Sequence, residues 1–434
     1  MVRCFVGQKV RVHGDADDGD GREWYEGVIS GITDNQASIS WDVEPPKFAN
    51  IELGSDLTGY DGTVRVYCPN FYIKSQIIGD TRRVWLSTVK IDNSWTLQPE
   101  ILVDAYRSTI LNEVPENMGY LSTLPVNSAI SVVNTAPYCR GGGNRPANDG
   151  YLTGTDNTTK DIFRTDLGKP RTNIDRSTMR TYSQNAGSNI MSYDQYKNIF
   201  YWLYVVEYAN FNCKEAYNKT LTDEGYHQGG IGVSLTTMKN WSEYNKLCPI
   251  IPCGYGNKLG NGTGLLYFTI NFYYGTNYTH SFQSLCMSRW RGFDNPFGDI
   301  STNLDGILID TDSDNHPNNM NYVYTCQDPA KFGDTLTDDY KKVGEETSRS
   351  GHTKLFDLGD AAHIIPNVVG GSNTTYKCDY NWPGDKNTIL KILIIGAAAH
   401  NDMGGLGYFD TYSNVSYSSN FTGFRTVSSS VSFP

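Results

Sequence analysis

The residues in this chain that could do chemistry are scattered and do not assemble into a known catalytic pattern. Gly254-Tyr-Gly-Asn-Lys-Leu-Gly-Asn-Gly-Thr-Gly264 has the glycine density of a phosphate loop. It lacks the G-K-[ST] ending whose lysine and hydroxyl would hold phosphate and magnesium, so it reads as a glycine-rich turn. No G-x-S-x-G nucleophile elbow occurs. His13, His227, His280, His316, His352, His363 and His400 contain no H-x-x-x-H pair of the kind that places two imidazoles on one helix face around zinc. The 9 cysteines are widely spaced and form no C-x-x-C. That pattern points to buried thiols in a reducing compartment and away from a zinc knuckle or a redox pair.

Two acidic clusters raise the question of calcium. Asp310-Thr-Asp-Ser-Asp314 opens like a calcium loop, but Asn315 takes the position that needs glycine, and no glutamate follows at the loop's end. It is therefore no EF-hand. Asp310, Asp312 and Asp314 stand as candidate ligands of a structural calcium, against the alternative of a solvated turn. Asp15-Ala-Asp-Asp-Gly-Asp-Gly21 poses the same pair of readings. No other cofactor is expected. Carboxylates for glycoside cleavage are plentiful, but nothing singles out a pair, so the chain is expected not to be an enzyme.

The elements that must position these residues are mainly strands. Lys9–Val12, Trp24–Ile32 and Ala37–Val43 read as short strands. Thr63–Lys74 alternates as a strand and pairs with Arg83–Val89 as a hairpin, and Pro99–Tyr106 reads as a short helix. Residues 141–168, rich in Gly, Asn, Asp and Thr, read as an extended loop. One longer helix begins at Ser192. There Ser192-Tyr-Asp-Gln195 fits a capping box, and Ile199, Leu203, Val206 and Ala209 recur at helical spacing toward Tyr217. Its aromatics, Tyr196, Phe200, Tyr201, Trp202 and Tyr204, suit core packing. Leu265–Tyr274 reads as a strand, and the apolar run Ile389–Ile395 suits a central buried strand. One long helix among many short strands and long loops gives an α+β class.

Composition removes several functions. The formal net charge is −11, with 36 Lys+Arg against 47 Asp+Glu, and the basic residues form no stripe. That field repels a phosphate backbone, so nucleic acid is not an expected partner. No segment reaches the roughly 20 apolar residues of a membrane span, and the N-terminus has no secretory signal, so a cytoplasmic site of synthesis is expected. The 30 tyrosines among abundant Gly, Asn, Ser and Thr suit both strands and recognition surfaces.

The C-terminal stretch after Ile395 concentrates this chemistry. A small-residue run leads into His400-Asn-Asp-Met-Gly-Gly-Leu-Gly-Tyr-Phe-Asp-Thr-Tyr-Ser-Asn-Val-Ser-Tyr-Ser-Ser-Asn-Phe-Thr-Gly-Phe-Arg425. Rigid aromatic groups alternate there with adaptable Ser and Asn, a mixture like that of an antibody paratope.

Five ordered blocks carry a family resemblance. Asp56-Leu-Thr-Gly-Tyr-Asp-Gly-Thr-Val-Arg-Val-Tyr-Cys-Pro-Asn-Phe-Tyr-Ile-Lys74 resembles the D-L-T-G-x-D-G-x-V-x-V-x-x-P-x-F-Y-x-K opening of fibre proteins from bacteriophages and prophages of gut Bacteroides-type hosts. Trp95-Thr-Leu-Gln-Pro-Glu100 is loosely similar to the segment that follows in that family. Tyr204-Val-Val-Glu-Tyr-Ala-Asn210 resembles its L-Y-L-V-E-F-A-x helix. Arg289-Trp-Arg-Gly-Phe-Asp-Asn-Pro-Phe-Gly-Asp-Ile300 with Asp305-Gly306 is similar to its R-G-x-x-N-P-x-G-x-I block. Gly407-Tyr-Phe through Gly423-Phe-Arg425 resembles its ending.

The resemblance implies a C-type-lectin-like domain, of the branch shared with formylglycine-generating enzymes and the variable proteins of diversity-generating retroelements. It spans about residues 55–427 and divides the chain into a β-rich virion-attachment region, 1–58, and a receptor-binding domain, 59–434. Ligand-facing positions implied by it are Asn401, Asp402, Tyr408, Asp410, Tyr412, Asn414, Ser416, Tyr417, Ser418 and Asn420. The framework is Trp290, Phe293, Asn295, Gly298, Asp305, Gly423 and Arg425. The tryptophans usual after the Gly298 block are absent, and the C-terminal third has only Cys326 and Cys378, far apart, which argues against formylglycine chemistry.

The expected protein is a virion adhesin of the tail or fibre, made in the host bacterial cytoplasm. Its expected partners are other virion proteins, copies of itself in a homotrimer, and a host surface glycan or outer-membrane protein. The alternatives are a structural head-fibre or decoration protein and a glycan-degrading enzyme.

Overall fold

The computed structural model describes residues 9–13, 24–33, 36–41, 50–52, 63–79, 81–111, 123–132, 170–208, 253–259, 264–274, 278–296, 300–311, 316, 320–372, 377, 379–386, 390–396, 405–419 and 422–429. The chain divides into two units, Met1–Leu57 with Ser430–Pro434, and Thr58–Ser429. The described residues are mostly β-sheet with few helices, compatible with an α+β class. Among them no helix is long and apolar enough to cross a membrane.

The first unit holds one four-stranded sheet in the order Gln36–Trp41, Trp24–Thr33, Lys9–His13, Asn50–Glu52. Its three longer strands are antiparallel neighbours. The acidic stretch Asp15–Gly21 and the loop 141–168 lie outside the described residues.

In the second unit, Pro69 and Asn70 divide the first apolar stretch into two strands. Arg65–Cys68 joins a sheet in the order Asn189–Ile190, Thr426–Ser428, Ile101–Asp104, Arg65–Cys68. Phe71–Ile78 turns back on Thr81–Ser87 as a hairpin, with Gly79 at φ +57° in the turn. The helix expected over Pro99–Tyr106 is a strand at Ile101–Asp104. Val103 and Ile101 point into the core, and both edges are taken, by Arg65–Cys68 and by the distant Thr426–Ser428.

The helix opening at Ser192 has its capping box. Ser192 Oγ accepts from Gln195 N at 3.3 Å, and Gln195 Oε1 accepts from Ser192 N at 2.8 Å. The following turns are not regular α-helix. Lys197–Trp202 is a π-helical turn, and Leu203–Tyr208 resumes the α form. The wider turn rotates the face that follows, so Val206, which would face inward at helical spacing, is 51 % exposed, whereas Phe200, Tyr201, Trp202 and Tyr204 are buried. Ala209 to Tyr217 lies outside the described residues.

A second helix, Arg176–Asn185, precedes it. Asp175 caps it by accepting from Thr178 N at 2.7 Å, and Gly187 at φ +65° follows its end.

The principal sheet has seven strands in the order Ile365–Val369, Gly351–Asp357, Tyr380–Trp382, Phe409–Asp410, Ile394–Ile395, Ser301–Asn303, Thr422–Gly423. Of the described residues in the apolar run Ile389–Ile395, Ile394 and Ile395 enter the ladder. The main core joins this sheet to the Ser192 helix through Tyr193, Tyr196, Phe200, Trp290, Phe293, Leu393, Ile395 and Phe409. Among the described residues, Cys68, Cys253 and Cys326 are buried and form no disulfide.

Candidate recognition surface

The C-terminal segment is fastened from beneath by a buried arginine. Arg425 Nη1 donates to the carbonyls of Asp104 at 3.1 Å and Ala105 at 2.9 Å, and Nη2 donates to those of Asn295, at 3.1 Å, and Asp294. One planar guanidinium thus ties the end of the chain to the Trp290–Asn295 turn and to the strand end at Asp104. Beside it, the buried Asp104 carboxylate accepts from Thr426 N at 3.2 Å, Thr426 Oγ1 at 2.6 Å and Arg65 Nε at 3.3 Å.

The other framework positions are also interior. Trp290 is fully buried, packs on Phe200, Tyr204 and Phe293, and donates from Nε1 to Glu207 at 3.0 Å. Asp305 takes both Nε and Nη2 of Arg180, at 2.8 and 2.9 Å, while Arg176 reaches Asp334 at 2.7 Å. Gly298 lies outside the described residues.

On this support the segment 410–418 alternates, with Thr411 and Ser413 buried and every second side chain from Tyr412 outward. Tyr412 is 50 % exposed, and Asn414, Ser416 and Ser418 are exposed. Side chains hold the backbone between them. Asp410 Oδ1 accepts from Tyr412 N at 3.0 Å, and Asn414 Oδ1 accepts from Ser416 N at 3.2 Å and Ser416 Oγ at 3.0 Å. Such i to i+2 bonds let a polar loop hold its shape without a ladder. Ser413 O accepts from Ile392 N at 3.0 Å, and Lys391 bridges Asn414, which stitches the segment to the core strand.

Three of the expected ligand-facing residues sit otherwise. Tyr408 is buried, only 5 % exposed, and its hydroxyl bonds the Asp410 carboxyl. It is a packing residue. Tyr417 is partly buried, and its hydroxyl is engaged with Ser419, Thr422 and Ser413. Asp410 is half-buried, and loss of solvent pushes its carboxyl up to about 7. Asn401, Asp402 and Asn420 lie outside the described residues.

Beneath the segment, Glu346 is fully buried. Its carboxyl accepts from Asn321 Nδ2 at 3.0 Å and Thr411 Oγ1 at 2.9 Å. Burial raises it to about 8, with the nearby Asp410 adding to the rise. Its burial makes it a structural acid rather than one that could meet a substrate.

For calcium, Asp310 pairs with His316 Nε2 at 3.4 Å, and Asp312 and Asp314 lie outside the described residues. Among the described residues no three His, Cys, Asp or Glu side chains are grouped to hold a metal.

Next to Tyr412 the fold brings in residues that sequence reasoning missed. Tyr380–Trp382 runs parallel to Phe409–Asp410, pairing Asn381 with Phe409 and Trp382 with Asp410. Asn381 and Phe409 face the interior, which turns Tyr380 and Trp382 to the other face. On the far side His352 pairs with Tyr380. His352 and Tyr380 rings lie 5.1 Å apart edge to face, and Tyr380 and Trp382 lie 5.7 Å apart. The signal was present as two aromatics at i and i+2, bounded by Pro383-Gly384.

No protein-family model, curated protein or solved structure matches the chain.

Proposed function

We propose that this chain is a non-enzymatic virion adhesin, a fibre or tail protein of a bacteriophage of gut Bacteroides-type bacteria. In this reading its second unit is a C-type-lectin-like domain that binds a host surface glycan or outer-membrane protein, and its first unit docks to other virion proteins. The family reading rests on the five ordered sequence blocks. The observation that supports binding is the segment 410–418. Tyr412, Asn414, Ser416 and Ser418 stand in solvent on a backbone held by its own side chains and anchored through Arg425.

A fixed backbone lowers the ordering entropy lost on binding, and tyrosine supplies contact area at little rotamer cost. Copies arranged as trimers on a particle would raise effective affinity by about 10²–10⁴ over one site. The test is binding of the full-length protein to host cells. Cell binding lost in Tyr412→Ala with the fold retained supports the reading. A protein that binds no host cell is instead a decoration protein, and one that shortens capsule chains is a depolymerase.

A further inference from the structure

We infer that the outward aromatic row His352–Tyr380–Trp382, with Asp410 and Tyr412 at its rim, is a stacking site for neutral hexopyranose units of a host glycan. This inference rests on the adhesin reading and names the ligand class of that surface.

The row lies on one face of the principal sheet. His352 pairs with Tyr380, and Trp382 with Asp410, so strand alternation puts all four on the side opposite the buried Asn381 and Phe409. Trp382 is 40 % exposed, a large indole left in solvent, and Tyr412 is 50 % exposed. Thr411 N donates to Trp382 O at 3.0 Å, so the backbone bearing Tyr412 is locked directly to the strand bearing the indole. Among the described residues, neither the Trp382 indole N–H nor the Tyr380 hydroxyl has a hydrogen-bond partner.

Such a surface selects by chemistry. Flat aromatic faces carry negative π density and favour the polarised C–H faces of a ring, while indole N–H, phenol and carboxyl groups at the rim meet hydroxyls. A pyranose offers both in one unit, flat C–H faces and equatorial hydroxyls. A purely apolar ligand would leave the Asp410 rim unmet. An anionic one, whether a uronate chain or a nucleic acid, would be repelled by a chain of net charge −11. Charge therefore favours neutral sugars.

The test uses the full-length protein against immobilised neutral gluco-, galacto- and manno-oligosaccharides, with a polyuronide as comparator, and in parallel against whole host cells. Expected is binding to at least one neutral series and none to the polyuronide. Trp382→Ala should weaken that binding about tenfold or more, the loss typical of truncating an aromatic anchor. Trp382→Phe, which keeps a ring, should retain most of it, with circular dichroism confirming that both variants fold.

The inference is overturned if no neutral series binds, or if Trp382→Ala binds it as well as the unchanged protein does. If cells are bound but protease treatment of the cells abolishes binding, the partner is a protein: the stacking site falls and the adhesin reading stands. If neither cells nor saccharides are bound, both fall.

Discussion

The Thr411 hydroxyl lies against both carboxyl oxygens of Glu346, 2.9 Å from Oε1 and 3.0 Å from Oε2, and links the outer segment to the buried end of the strand Lys341–Thr347. Gly384 N donates to the same hydroxyl at 3.2 Å, so three chain segments meet at one oxygen.

This junction predicts a pH dependence. Burial holds the Glu346 carboxyl near 8, against an ordinary value of 4.5. Between those values the folded protein keeps a proton that the unfolded chain releases, so stability falls as pH rises from about 4.5 to 8 and then levels. Asp410, raised to about 7, acts with the same sign. His363, depressed by burial to about 4, acts oppositely, losing stability as pH falls from 6.5 to 4. Glu346→Gln, which stays neutral, should flatten the decline of the unfolding midpoint between about pH 5 and 8 and leave the part due to Asp410, which ends near 7. An unchanged slope in the variant would remove Glu346 as its source.

Arg425→Ala should be among the most destabilising single changes in the second unit. It would take their shared donor from the carbonyls of Asp104, Asp294 and Asn295, and from that of Ala105, which keeps Asp294 N at 2.9 Å. Unsatisfied buried groups cost about 1–3 kcal/mol each, so a loss of at least about 3 kcal/mol is expected by denaturant titration. Arg425→Lys should restore little, because an ammonium cannot span carbonyls from two separate turns as a planar fork does.

The residues 408 and 412 make a matched pair of opposite outcomes. Tyr408→Ala removes a buried ring and should cost about 3–5 kcal/mol of stability. Tyr412→Ala removes an exposed ring and should leave stability within about 0.5 kcal/mol while abolishing most host-cell binding. If both variants lose stability equally, Tyr412 is packed and the display reading fails.

What could be read from the residues alone tracks how local each signal is. The capping box at Ser192 and the hairpin with Gly79 in its turn depend on neighbours in sequence, and both are found. Arg176–Asn185 was silent because it buries Arg176, Met179 and Ser183, so it has no apolar periodicity to detect. Arg176 is held instead by Asp334 and by the carbonyls of Leu304 and Ile307, all more than a hundred residues away. Ile101–Asp104 reads as helical until its partners, Arg65–Cys68 and Thr426–Ser428, are known. At the recognition surface, the exposure of Tyr412 and Asn414 follows the local polar pattern. The burial of Tyr408 and the aromatic row 352–382 depend on a parallel pairing that no local pattern encodes.

That dependence on close approach gives a last prediction at Gly407, where the outer segment enters the core. A Cβ there would stand 2.7 Å from Asp379 Oδ2 and 2.9 Å from Tyr201 Cε2, closer than real Cβ atoms come. Tyr201 is buried in the π-helical turn and Asp379 precedes the Tyr380–Trp382 strand, so neither can retreat without moving an element. Gly407→Ala should therefore cost about 1–3 kcal/mol by overpacking. It should also weaken ligand binding, because the shift is passed to Phe409–Asp410 and on to Tyr412. Gly333→Ala, where an added Cβ meets nothing within 4 Å, should leave both properties unchanged. Equal effects of the two substitutions on binding would mean that the recognition surface is not positioned through this contact.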